Sequence, residues 1–289
     1  MIGKTRQPSP AKIAAEIEEI YDPGVGRARG MLRRSLPEGK LRHVRRSPAA
    51  ELAPWIAHYW MIHWDLDKGD PQLVESLPHP NVHLVFEDGK TVVYGVQTHK
   101  FSRKLEGRSR VFGIKFRPGG FRPFLHGPVS DLADSSAPAR GIFGRDLRTL
   151  EAIAFTDGRE DDKVEAANDF FRLRMPEPDP TLELAAKLVE HILRVPEIKT
   201  VEGLAGVTSV SKRRLQRIFQ DYVGVSPKWV IRRYRLHELI EKANSASPLD
   251  WAQVALDLGY FDQAHLINDF KSIVEFTPVE YRKRIPREG

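Results

Sequence analysis

Two sets of residues have types and spacings that suit chemistry. The first is a run of cations. Between Val210 and Arg235 stand eight basic residues (Lys212, Arg213, Arg214, Arg217, Lys228, Arg232, Arg233 and Arg235) against one acid, Asp221. Such a run reads either as a solvated helix face or as groups that neutralise nucleic-acid phosphates, and charge alone does not choose between them. The second set is His79, His83 and His99, with Glu75 or Glu87 as a carboxylate partner, the donor types of a metal-dependent enzyme. Pro80 interrupts the spacing between His79 and His83, and no compact ligand motif appears. We therefore expect no metal and no other cofactor. Cysteine is absent, which removes disulfides, thiolate metal sites and cysteine nucleophiles. No GxSxG elbow, phosphate loop or dinucleotide fingerprint is present, and the chain is not expected to be an enzyme.

The elements that must position the cations announce themselves as a repeat. Ser211, Leu215, Phe219, Ser226 and Pro227 recur as Asp262, Leu266, Phe270, Thr277 and Pro278, an offset of 51 read from the residue numbers. Upstream, Ala205 and Ser209 recur as Ala255 and Gly259 at an offset of 50, so one residue is inserted in the second turn. Repetition that preserves roles as well as letters marks a repeated structural unit. Each unit reads as a short helix (201–207; 251–258), a tight turn at Ser209 or Gly259, and a second helix capped by Ser211 or Asp262. Leu215 with Phe219, and Leu266 with Phe270, lie four apart and share one buried face. Ser226-Pro227 and Thr277-Pro278 then open a further helix, with Pro at its first position.

The rest of the chain sets the context. At 289 residues it is long enough for two domains. Hydrophobic residues at 41% and charged residues at 29% suit an ordinary globular protein. The net charge of +6 is weak evidence by itself. No apolar run approaches the roughly 20 residues that span a bilayer, so a cytoplasmic protein with no membrane partner is expected. We divide the chain into a leader (1–30), an N-terminal domain (31–175), a Pro-rich linker (176–180) and a C-terminal helical domain (181–289). Ile13, Ile17 and Ile20 suggest a short helix over 11–20 in the leader. Strand text follows: Val82, Leu84 and Phe86 alternate with His83 and Val85, Asp88-Gly89 signals a hairpin, and 91–94 returns. Residues 111–116 read as another strand, stopped by Arg117-Pro118-Gly119-Gly120. Helical text resumes near Asp161. The aromatics crowded here are either a β-barrel core or, in part, the lining of an apolar cavity, with Trp55, Trp60, Trp64, Phe86 and Tyr94 as the candidate effector pocket.

With both units in view, the C-terminal part resembles the AraC family of regulators. The carrying residues are Leu204-Ala205, Val210-Ser211, Leu215-Gln216-Arg217-Ile218-Phe219, Gly224-Val225-Ser226-Pro227 and Arg235-Leu236 in the first unit. In the second they are Val254-Ala255, Gly259-Tyr260, Asp262-Gln263, His265-Leu266, Phe270-Lys271, Thr277-Pro278, Tyr281 and Arg282. Ser209, Leu239 and Glu275 depart from the family, which usually has Gly, a small residue and Gly at these places. The N-terminal part resembles, through Leu77-Pro78, residues 82–86, Tyr94-Gly95-Val96-Gln97-Thr98 and Phe116-Arg117-Pro118-Gly119-Gly120-Phe121, a sensor domain of some of these regulators. The implied fold class is α+β: a small cupin-like β-barrel, then an all-α domain of two helix-turn-helix units joined by a long helix.

The resemblance implies roles. Arg213, Gln216 and Arg217 reach base edges from the first recognition helix. Arg matches the O6/N7 edge of guanine and Gln the N6/N7 edge of adenine, each pair worth about 1–3 kcal/mol of discrimination. Gln263, Ala264, Ile267 and Asn268 hold the corresponding places in the second. Lys212, Arg214, Gln220 and Lys271 fall to phosphates, which set register without reading sequence. His265 is a surface or packing residue. The joining helix spaces the two recognition helices for successive major grooves, about 34 Å apart. The expected function is sequence-specific transcription regulation under a partly apolar small-molecule effector. Expected partners are double-stranded operator or promoter DNA, that effector, a second copy of the chain, and RNA polymerase if the protein activates. Two alternatives stand beside it: a constitutive regulator whose N-terminal domain only dimerises, and a metal-binding cupin-type enzyme fused to a DNA-binding domain.

Overall fold

The computed structural model describes residues 18–23, 25, 31–33, 40–67, 69, 71–244 and 249–284. Among the described residues ten strands come first: β1 (Glu18–Tyr21), β2 (Met31–Arg33), β3 (Leu41–Arg46), β4 (Ile56–Asp65), β5 (Gln72–Ser76), β6 (His83–Glu87), β7 (Lys90–Tyr94), β8 (Phe101–Leu105), β9 (Arg108–Phe116) and β10 (Ser136–Pro138). Seven form one sheet in the order β1-β3-β4-β9-β6-β7-β10, and β2-β5-β8 form a second. The β6–β7 hairpin turns at Asp88 and Gly89, with φ of 47° and 72°, the left-handed pair that a two-residue hairpin twisting with its strands requires.

Alternation along the strands gives the large sheet two unlike faces. One face carries Val44, Tyr59, Met61, Leu84, Phe86, Val93, Phe112 and Ile114. It is sealed by α1 (Ala139–Phe143), α2 (Leu147–Ala154) and α3 (Glu160–Arg172) through Phe143, Leu147, Leu150, Phe170 and Phe171. Part of the other face, Leu41, Trp64, Val85 and Val111, packs with Leu105 and Val74 of the second sheet. The α+β class is as expected, but the sheet is not a closed barrel. Its end strands β1 and β10 lie at opposite edges and pair only inward. Layers on both faces bury what closure would otherwise have buried.

Three further expectations are corrected. Residues 18–21 form a strand rather than the end of a helix, because they pair in parallel with β3, placing Ile20 opposite Val44; residues 11–17 lie outside the described residues. Helix returns at Ala139, well before Asp161. The Pro-rich stretch does not stay extended to its end. Pro180 is the first residue of α4 (Pro180–Arg194), and Asp179 caps it by accepting a 2.8 Å hydrogen bond from the Thr181 N–H.

After α4 come α5 (Val201–Thr208), α6 (Lys212–Ile218) with a π-helical turn (Phe219–Val223), α7 (Pro227–Asn244), α8 (Trp251–Asp257), α9 (Gln263–Val274) and α10 (Pro278–Arg284). They make two cores that share one helix. Val230 and Ile231 of α7 join α4, Leu204, Leu215 and Phe219. Leu236, Leu239, Ile240 and Ala243 of the same helix join Val254, Leu266, Phe270 and Tyr281. At 18 residues, α7 is about 27 Å long. Each helical core also takes one fully buried residue from the sheet-bearing part, Val96 in the first and Leu77 in the second, and Leu32 of β2 packs against the second.

Candidate nucleic-acid interface

Both repeated units fold by the same local rules. Ser211 caps α6 by accepting from the Arg214 N–H, and Asp262 caps α9 by accepting from the His265 N–H at 2.7 Å, satisfying donors that the first turn leaves free. The preceding turns reverse through left-handed residues, Ser209 (φ 54°) and Gly259 (φ 75°). Leu215, Ile218 and Phe219 are buried under α6, and Leu266 and Phe270 under α9. The polar residues between them are therefore forced outward.

On α6 and the turn after it, Lys212, Arg213, Arg214, Gln216, Arg217 and Gln220 are all exposed. The Lys212 ammonium pairs with Glu202 of α5 at 2.9 Å, an exposed bridge worth little and open to exchange for a phosphate. On α9, Gln263, Ala264, Asn268 and Lys271 are exposed, whereas Ile267 is half-buried against the second core. His265 is exposed and meets Tyr260 edge-on at 5.2 Å between ring centres.

The cation run divides by depth. Lys212, Arg213, Arg214 and Arg217 point to solvent, while the three arginines of α7 turn inward. Arg232 is ion-paired with Asp269 of α9 and bonded to Ser272. Arg235 donates to the Lys199 carbonyl and lies over the Tyr260 ring. Arg233 is 1% exposed and donates to the Pro78 carbonyl at 2.6 Å, with His79 beside it. Burial pushes its guanidinium down to about 10. Sequence reading missed this inward trio, because a helical cation carries no mark of which side it faces. It also missed Phe261, 88% exposed in the turn just before α9.

Residues 204–284 match the helix-turn-helix domain family. The C-terminal unit is an AraC-type helix-turn-helix domain. A curated relative, an uncharacterised HTH-type transcriptional regulator of Haemophilus influenzae, is 32% identical over 87 residues, which is 29% of this chain and 28% of the relative's length. Residues 44–138 match a domain family of unknown function, DUF6597. Among solved structures, the C-terminal domain of AraT, a response regulator from Geobacillus stearothermophilus, is similar at 21% identity over 37% of this chain and 87% of that one, with a TM-score of 0.33. ToxT from Vibrio cholerae is similar at 12% identity over 85% and 98%, with a TM-score of 0.36. The AraC-type assignment rests on the family match and on the repeated geometry of its two units rather than on these structures.

Away from the AraC-type domain, the five aromatics singled out in the sequence do not line one space. Phe86 lies in the helix-covered core, its ring stacked on Phe112 at 5.5 Å. Trp60 and Trp64 project from the opposite face, where Trp64 is buried and Trp60 half-buried. Tyr94 is 40% exposed, and Trp55 packs half-buried against the helix-covered core. Trp64 and Phe86 both line a pocket of about 660 Å³, which the other three do not. The three histidines are likewise scattered. His83 is on β6, His79 faces Arg233, and His99 is exposed. Among the described residues no three His, Asp or Glu side chains are grouped to hold a metal ion. No helix there is long and apolar enough to cross a membrane.

Proposed function

We propose that the protein is a sequence-specific DNA-binding transcription regulator, with its reading heads on α6 and α9. The observation that carries this reading is the pair of capped helices, each with a buried Leu/Phe ridge and an outward polar face, held at the two ends of one helix. In this reading Arg213, Gln216 and Arg217 read bases from α6, and Gln263, Ala264 and Asn268 read from α9. Ile267 gives a part of its surface to a thymine methyl. Lys212, Arg214, Gln220 and Lys271 hold phosphates. Phe261 joins them as an apolar contact to a sugar or a thymine methyl, since its ring is otherwise left in water. The functional division falls between α3 and α4: the sheet-bearing part houses a partly apolar small-molecule effector, and the helical part binds DNA. The direct passage of Leu77, Val96 and the Pro78 carbonyl into the helical part supports such control.

Selection from a random duplex pool with the full chain, at about 50 and 200 mM salt, tests the reading. A long, asymmetric enriched site whose affinity falls steeply with salt is expected, because each neutralised phosphate releases counterion. Binding that is blind to sequence at both salts would overturn it.

A further inference from the structure

The large sheet has a second face that α1, α2 and α3 do not cover, and across it the register builds a row. His58 of β4 stands opposite Lys115 of β9, and Lys115 stands opposite His83 of β6. The next row on the same face, two residues along each strand, is Arg45 of β3, Trp60 of β4 and Gly113 of β9. Trp60 lies flat over Gly113: a Cβ on that glycine would fall 2.0 Å from the indole ring. The Trp60 Nε1–H donates to His83 Nδ1 at 3.3 Å. In the neutral ring this leaves the proton on Nε2 as an outward donor. Arg45 spends its fork on His58, donating to Nε2 at 3.3 and 3.0 Å.

The charge balance of this row is one-sided. The charges acting on Lys115 are Arg45 and Arg233. Those acting on His58 are Lys115, Arg45, His83 and His43, and that on His83 is Lys115; no carboxylate is among them. Lys115 is half-buried and makes no hydrogen bond or ion pair among the described residues. Burial, with those cations, pushes its ammonium down to about 7 and holds His83 at about 3. An uncompensated cation costs the fold unless something supplies the opposite charge. Side chains directly opposite in antiparallel strands have Cβ atoms about 5 Å apart, close enough for one carboxylate to take a hydrogen bond from each on its two oxygens. With Arg45 engaged, no guanidinium fork is free to clamp a phosphate, and one ammonium beside one imidazole N–H suits a monoanion.

We propose that this face binds a monoanionic organic acid, its carboxylate bridging Lys115 Nζ and His83 Nε2 and its apolar body lying along Trp60. The proposal rests on the reading of the sheet-bearing part as an effector domain and names the ligand class for it. It also gives the ligand a route to the DNA-binding helices. Arg233, anchored on Pro78, repels Lys115 from α7, and an anion between them turns repulsion into attraction.

The test is titration of the full chain, followed by Trp fluorescence and thermal shift, with phenylacetate, hexanoate and indole-3-acetate, each beside its uncharged amide, and with inorganic phosphate. At least one acid is expected to bind tenfold or more tightly than its amide, less tightly as the pH rises from 6 to 8.5. Lys115→Met should erase the preference for acid over amide while raising the melting temperature of the ligand-free protein, and Lys115→Arg should keep the preference. Acids and amides binding alike would overturn the anion assignment and leave the effector reading standing. Phosphate binding as tightly as the acids, in a Lys115-dependent way, would overturn the carboxylate class. No response to any compound, with Lys115→Met changing nothing, would overturn both.

Discussion

Lys100, in the turn before β8, reaches Glu275 in the turn after α9, with 2.8 Å between its Nζ and the carboxylate, and the same ammonium lies 2.6 Å from Glu75 of β5. Glu275 sits at φ 68°, a left-handed position that favours glycine. Burial alone would depress Lys100, but the hydrogen bonds it donates to Glu275 and Glu75 outweigh it and hold the ammonium above its ordinary value. The backbone strain of a non-glycine residue there is thus set against a charge link between the sheet and the second helix-turn-helix unit. Lys100→Met is expected to lower stability by about 1–3 kcal/mol, because it strands the buried Glu75 carboxylate. Glu275→Ala should cost under about 1 kcal/mol, since that partner is exposed. Urea denaturation of the two variants checks the order; equal losses would refute it.

Ser209 has the same backbone problem without the link. Its φ of 54° is left-handed, and no side-chain hydrogen bond compensates at this helix end. Ser209→Gly should stabilise the protein by about 0.5–1 kcal/mol, less than the full left-handed penalty because glycine also gains freedom in the unfolded chain. A lowered urea midpoint would count against it.

The two proposed reading heads are not equal. Arg217 is exposed on α6 beside Arg213 and Arg214, whereas α9 offers neutral Asn268 at the comparable place. Arg217→Ala is expected to weaken binding to the selected duplex by about 10- to 100-fold, and Asn268→Ala by several-fold less. Fluorescence anisotropy at fixed salt measures both, and equal losses would sink the idea that the first unit supplies most of the affinity.

Acid should loosen the sheet-bearing part. Burial, then the charge of Lys115, keeps His83 at about 3 and drives His58 lower still, against an unfolded value of about 6.5. Below that pH the unfolded chain takes up protons that the fold refuses, so stability falls as the pH drops from about 6.5 toward 3. Each histidine contributes at most about 1.4 kcal/mol per pH unit. Lys115 acts in a different window with the same sense: between about 7 and 10.4 the unfolded lysine alone holds its proton, so stability rises with pH there. Urea midpoints at pH 7.5 and 5.5 should differ less for His83→Gln than for the wild type. An unchanged difference would remove His83 from the account.

Much of the helical half was legible in the sequence because its signal is local. Caps, ridges four apart and turn residues recur at a fixed offset, and each fixes the outward face of its own helix. The division of the cation run was not legible, since Arg217 and Arg233 differ only in which neighbour their helix face meets. The sheet face defeated sequence reading for a related reason. Alternation separates Phe86 from His83 within β6, but the row of His58, Lys115 and His83 exists only through the register of three strands far apart in the chain. Trp60 and Phe86 look equivalent as letters and lie on opposite faces.

The placement of Leu77 and Val96 bears on how such proteins diversify. Each fills a slot in a different helical core, so the two halves of the chain are not interchangeable beads on a string. Grafting this DNA-reading half onto a foreign sensor would leave two apolar sockets empty unless the new partner brought matching plugs.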